Sequence, residues 1–72
     1  MDKENFLEAL EELLELDADS IKGDEALTSL DTWDSLAILG FISFADEKCG
    51  KILSVTYINQ AQTVNDLYAL IS

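Results

Sequence analysis

Residues 31–50 read DTWDSLAILGFISFADEKCG, and the period within this stretch decides what kind of chain surrounds it. Leu36, Leu39, Ile42 and Ala45 follow helical spacing, joined by Ile38, Phe41 and Cys49. That apolar arc is wider than a surface helix needs in order to bury one face. Such a helix is either the central element of a bundle or keeps part of its face for a partner. Asp34 is placed to accept a hydrogen bond from one of the first unpaired backbone amides. Ser35 then becomes the first helical residue, and a helix is expected over 35–49. Gly50 supplies its stop.

The same period recurs on both sides. Phe6, Ala9, Leu10, Leu13 and Leu14 form a stripe, bordered by Leu7 and Leu16, that predicts a first helix over about 3–16. Asp2 caps it, Glu4 lies in its first turn, and Glu8, Glu11, Glu12 and Glu15 are expected mostly toward water. Near the C-terminus, Thr63 and Asp66 stand at capping-box spacing ahead of Val64, Leu67, Tyr68 and Ile71, so a helix is expected over 64–71. A short third helix is expected over about 55–60, carrying Tyr57 and Ile58, in a segment rich in β-branched residues that lower helix propensity. Residues 17–34 form a long loop, with Ile21, Leu27 and Leu30 as its anchors and a short helical turn within it. The expected fold is all-α: a small four-helix bundle of three main helices and a short third, one domain over 1–72.

Composition narrows the function classes. A chain of 72 residues buries only roughly 60% of its unfolded surface, which leaves little room for an enclosed substrate pocket. Apolar residues make up 49% of it, too many for a disordered acidic tail. Fifteen acidic residues face four lysines and no arginine, a net charge of −11. That surface repels nucleic acid and favours encounters with basic protein surfaces. Residues 1–25 carry a net −8 and residues 26–72 a net −3, so the field belongs mainly to the first helix and its loop. A lone cysteine, Cys49, forms no internal disulfide and fits a reducing compartment. MDKENFLEAL lacks the apolar core of a signal peptide, and Leu36–Ala45 is shorter than the roughly 20 residues a bilayer requires. A cytoplasmic monomer without membrane insertion is expected. No metal site is expected either. Asp17 and Asp19 suggest a calcium loop, but Ile21, Lys22 and Thr28 occupy the places where an EF-hand needs an oxygen ligand, glycine and glutamate.

Ser35 admits three readings. It is an ordinary first-turn serine, a nucleophile, or an attachment point for another enzyme to use. A nucleophilic serine needs a neighbouring base and an oxyanion hole, and this chain has no histidine and neither G-x-S-x-G nor S-x-x-K. Cys49 lacks a histidine partner as well. No catalytic residue is therefore assigned. An attached phosphodiester, by contrast, suits a helix N-terminus, whose free amides and dipole favour negative charge.

The order of these features resembles the acyl and peptidyl carrier proteins over nearly the whole chain. It has an acidic first helix, a long loop, WDSL opening the second helix, DEKCGK where the family often has an acidic run ending in Phe-Gly, and TVNDLYALI similar to the family's last helix. The resemblance implies that Ser35 takes 4′-phosphopantetheine from coenzyme A, delivered by a separate magnesium-dependent phosphopantetheinyl transferase. The thiol of that arm holds an acyl or aminoacyl group as a thioester, presented to loading and transferring enzymes. Asp34 then positions the serine, Leu36 packs near it, and Trp33 pins the loop against the second helix. The chain itself performs no chemistry. A free-standing peptidyl carrier and an unmodified acidic adaptor stay open as alternatives.

The chain departs from the family along the second helix. Partner-reading acids would fall at Ala37 and Gly40, which are neutral here, and only Asp46 and Glu47 remain. Ala37, Gly40, an exposed Phe44 and Glu47 are therefore the expected partner-binding positions. Contact there is expected to be more apolar than ionic, with a modest dependence on salt.

Overall fold

A computed structural model describes residues 1–72. Asp2 accepts a hydrogen bond from the Asn5 amide at 2.8 Å and opens α1, Lys3–Leu13. Asp34 does the same for the Ala37 amide at 2.9 Å and opens α2, Ser35–Cys49, which Gly50 closes in the left-handed conformation. The β-branched segment does form a helix, α3, Val55–Gln60. Thr63 and Asp66 complete a reciprocal capping box ahead of α4, Val64–Ile71. Four helices and a single turn of 3-10 helix at Leu27–Ser29 make a small all-helical bundle, whose one β feature is an isolated bridge between Ala26 and Thr63.

The first helix ends earlier than its apolar stripe suggests. Leu13 is its last residue, and Leu14 and Glu15 already turn away. Glu15 takes φ 59°, its amide bonds the Glu12 carbonyl at 3.2 Å, and the Leu16 amide bonds the Glu11 carbonyl at 2.8 Å. This is a Schellman stop with glutamate where glycine is usual. A left-handed Cβ costs about 1–2 kcal/mol, and a carboxylate is unfavourable beside the negative end of a helix dipole. Glu15→Gly is therefore expected to stabilise the protein by about 1 kcal/mol. Thermal unfolding followed by circular dichroism should show a rise of about 4–8 °C for a domain of this size.

Glu11 is the second correction. It was expected toward water but is 5% exposed, and its carboxylate accepts the Ile21 amide at 3.2 Å. The buried carboxylate supplies an acceptor that the incoming loop needs where Ile21 enters the core.

The core joins Phe6, Leu10 and Leu14 of the first segment to Phe41 and Ala45 of α2, Ile58 of α3, and Val64, Leu67 and Ile71 of α4. Ile21 and Leu27 complete it from the loop, and Leu30 packs against its side. An aromatic cluster ties three helices together. The Phe6 ring meets Phe41 edge-on at 6.2 Å, Phe44 at 6.4 Å and Tyr68 at 5.2 Å.

The loop is stitched to the start of α4. The Leu27 amide bonds the Gln62 carbonyl, Val64 bonds Glu25, and Asn65 bonds Gly23 at 2.7 Å. Glu25 accepts from the amides of Lys22 at 2.7 Å and Gly23 at 2.8 Å. Burial works against its charge, but these amides hold its carboxyl below the ordinary value near 4.5. Asp66 is held below 3.8 by the amides of Gln62 and Thr63. A depressed carboxylate pKa contributes stability that is complete above the unfolded value and lost as pH falls through the folded one. Glu25→Gln should therefore lower the urea midpoint at pH 7, and its deficit relative to the wild type should shrink as the pH falls below 4.5. Comparing the two proteins at each pH removes the general relief of repulsion that acid brings to so negative a chain.

Candidate functional site at the start of the second helix

Local chemistry places Ser35 at the open tip of α2. The turn before it is fixed by the Trp33 amide on the Leu30 carbonyl at 3.0 Å and the Asp34 amide on the Thr32 carbonyl at 3.2 Å. Trp33 is half-buried, its ring edge-on to Phe41 at 6.1 Å, so the loop is pinned to the middle of α2. Asp34 and Ser35 are both exposed. One Asp34 carboxylate oxygen takes the Ala37 amide, and its carbonyl takes Ile38 at 3.0 Å. The amides of Ser35 and Leu36 bond to nothing in the fold. The tip thus offers a solvent-facing hydroxyl beside two free donors. It has no imidazole to take the hydroxyl's proton, and the nearest carboxylate is occupied as a cap.

Leu36 does not pack as expected. It stands 78% exposed next to Ser35, and Leu39, one turn on, is 60% exposed. Ala37 and Gly40 are half-buried, and Glu47 is exposed. Phe44 is a correction: it is half-buried, with its ring 6.0 Å from Phe41 and 6.4 Å from Phe6. Its place three residues after Phe41 puts it on the side that meets α1. The exposed apolar face of α2 is therefore Leu36 and Leu39, two residues the apolar period marked without showing that they stay uncovered.

Beside Ser35 lies an open groove of about 650 Å³ between the end of α1, the Asp31–Asp34 turn and α2. Leu13, Leu36, Ala37 and Leu39 provide its apolar lining. Gly40 lies at its floor, where an added Cβ would stand 2.9 Å from Leu13 Cδ1. Neither Leu13 nor Asp31 belongs to the helix that carries the serine, so no helical period brings them to it. Comparison with protein-family models, with curated proteins and with solved structures finds no match. What the tip can do follows from its own atoms: present a hydroxyl for another protein to esterify, and hold an anion there.

No helix is long and apolar enough to cross a membrane, and no cluster of three or more potential metal ligands is found.

Proposed function

We propose that this chain is a carrier domain of the acyl and peptidyl carrier type, bearing 4′-phosphopantetheine on Ser35. One observation carries the proposal: an exposed hydroxyl at the free end of a helix of 15 residues, with no base of its own. In the transfer, Ser35 Oγ bonds to the phosphorus bearing the pantetheine, and the pyrophosphate bond of coenzyme A breaks. The nucleotide half leaves, and the hydroxyl proton passes to a base on the transferase. The residues present suit the product. A phosphodiester on Ser35 would meet the free amides of Ser35 and Leu36, and an exposed anion at a helix N-terminus gains about 0.3–1 kcal/mol. When bound, the arm supplies a thiol that carries acyl or aminoacyl groups as thioesters. Trp33 and the Asp34 cap fix the serine's position, and exposed Leu36 and Leu39 give partner enzymes an apolar foothold beside it.

The test is a mass measurement. The protein incubated with coenzyme A, magnesium and a broad-specificity phosphopantetheinyl transferase should gain one phosphopantetheine per chain. Ser35→Ala should gain none while keeping the wild-type circular dichroism spectrum. An unchanged wild-type mass across several transferases would favour the other reading, an unmodified acidic adaptor, which the net charge of −11 supports.

A further inference from the structure

We infer that residues 28–33, between Leu27 and the α2 cap, form a strap that opens as a unit while the rest of the fold stays intact, biased toward opening by the Thr32 hydroxyl. This goes beyond the carrier reading and does not depend on it. Three independent observations meet in the segment. None of its residues is buried: Leu30, Thr32 and Trp33 are half-buried, and Thr28, Ser29 and Asp31 are exposed. Every hydrogen bond it makes is local. The Ser29 amide and hydroxyl both donate to the Ala26 carbonyl, the Leu30 amide to Leu27, Trp33 to Leu30, and Asp34 to Thr32. Finally, the Thr32 hydroxyl is sealed from water without a partner, the one buried side-chain polar atom of the chain so placed.

The stretch just before the strap is tied differently. Ile21 and Leu27 are each 3% exposed. The Ile21 amide donates to the Glu11 carboxylate and the Leu27 amide to the Gln62 carbonyl, while the Gly23 and Glu25 carbonyls accept from Asn65 and Val64. Beyond the strap, Asp34 is committed to α2 as its cap. Leu27 and Asp34 are thus its two fixed ends. Between them packing alone holds it to the bundle, through the Trp33 ring on Phe41 and Leu30 against the core. A segment with few buried contacts and no bonds to other elements opens at a lower free energy than the whole fold. Thr32 sets the bias. In the closed strap its hydroxyl has given up water and gained no partner, and opening returns that water, which favours the open form about tenfold. Opening frees Leu30 and Trp33, both within the five residues before Ser35, and bares the side of the Phe41 ring that Trp33 covers. A protein approaching the serine then meets apolar surface that the closed fold conceals.

Native-state hydrogen exchange on the full chain tests this. The amides of Leu30 and Trp33 should be at least about tenfold less protected than those of Leu27 and Phe41. Urea added below the unfolding transition should leave the first pair unchanged and speed the second, because a local opening exposes little surface. Thr32→Val keeps the side chain's shape and removes the hydroxyl, so it should slow exchange at Leu30 and Trp33 about tenfold. Thr32→Ser keeps the hydroxyl and should not slow it. Equal protection and equal urea dependence at all four amides would overturn the strap, since the segment would then open only with the whole fold. Local exchange that Thr32→Val leaves unchanged would also overturn the proposal, because the hydroxyl would exert no bias.

Discussion

Phe6→Ala is expected to remove about half of the protein's folding free energy. A domain of this length has a total stability of about 4–10 kcal/mol. Removing a buried phenylalanine costs about 3–5 kcal/mol through lost transfer energy and the cavity left behind. Phe6 is fully buried and its ring meets three others, Phe41 and Phe44 of α2 and Tyr68 of α4. Each aromatic pair adds about 0.5–1.5 kcal/mol beyond area alone, so the loss should fall at the upper end of that range. Urea unfolding followed by circular dichroism checks it. Phe6→Leu, which fills most of the space, should keep a cooperative transition at a lower midpoint. A midpoint for Phe6→Ala within the error of the wild type would mean that the cluster does not hold the bundle together. The functional consequence runs opposite to that of Ser35→Ala. Loss of Phe6 releases α2 and with it the geometry of the helix tip, so modification should fall with the folded fraction. Loss of the Ser35 hydroxyl should abolish modification with no fall in that fraction.

The second and fourth helices are legible from residue order because their termini carry their own chemistry. Asp34 and Gly50 bracket α2, and Thr63 with Asp66 starts α4, where the structure puts the caps. The end of α1 is not legible. Leu14 and Leu16 continue the apolar pattern, while the stop is made by Glu15 in a conformation that sequence normally announces with glycine or asparagine. The burial of Glu11 is not legible for a different reason. It borders the Phe6–Leu10–Leu14 stripe, and its burial depends on a loop folding back over it to supply the Ile21 amide. A helical period contains no information about such a loop.

The site divides along the same line. Ser35 and its cap are local features, and they were found from six consecutive residues. The groove is tertiary: α2 contributes Leu36, Ala37 and Gly40 in sequence, but Leu13, Glu15 and Asp31 arrive from segments up to 27 positions away along the chain. Phe44 shows the converse error. An apolar residue read as free for a partner had one already, in the Phe6 ring. On α2 the uncovered apolar surface falls instead to Leu36 and Leu39, close to Ser35.

The loop before the serine depends on Gly23, and Gly23→Ala is expected to cost about 2–4 kcal/mol. Gly23 adopts φ +123°, outside the range an L-residue takes up without strain. An added Cβ would also run into the Asn65 side chain and stand 3.0 Å from Lys3 Cε. Relief by backbone movement is blocked on both sides of the residue. Its amide is committed to the Glu25 carboxylate at 2.8 Å, and its carbonyl takes the Asn65 amide at 2.7 Å, one of the donors that α4 would otherwise leave open at its first turn. The variant must therefore either hold the strain or give up these bonds together. Hydrogen exchange separates the two outcomes. If the bonds are given up, the amides of Leu27, Val64 and Asn65 should lose protection well before the α2 amide of Phe41, because they form the seam between the loop and α4. If the strain is held, protection should fall evenly across all four amides by the factor that the urea midpoint implies. A variant with wild-type midpoint and wild-type protection at the seam would show that the loop tolerates a side chain at this position, and that Ile21 and Leu27 alone hold it to the bundle.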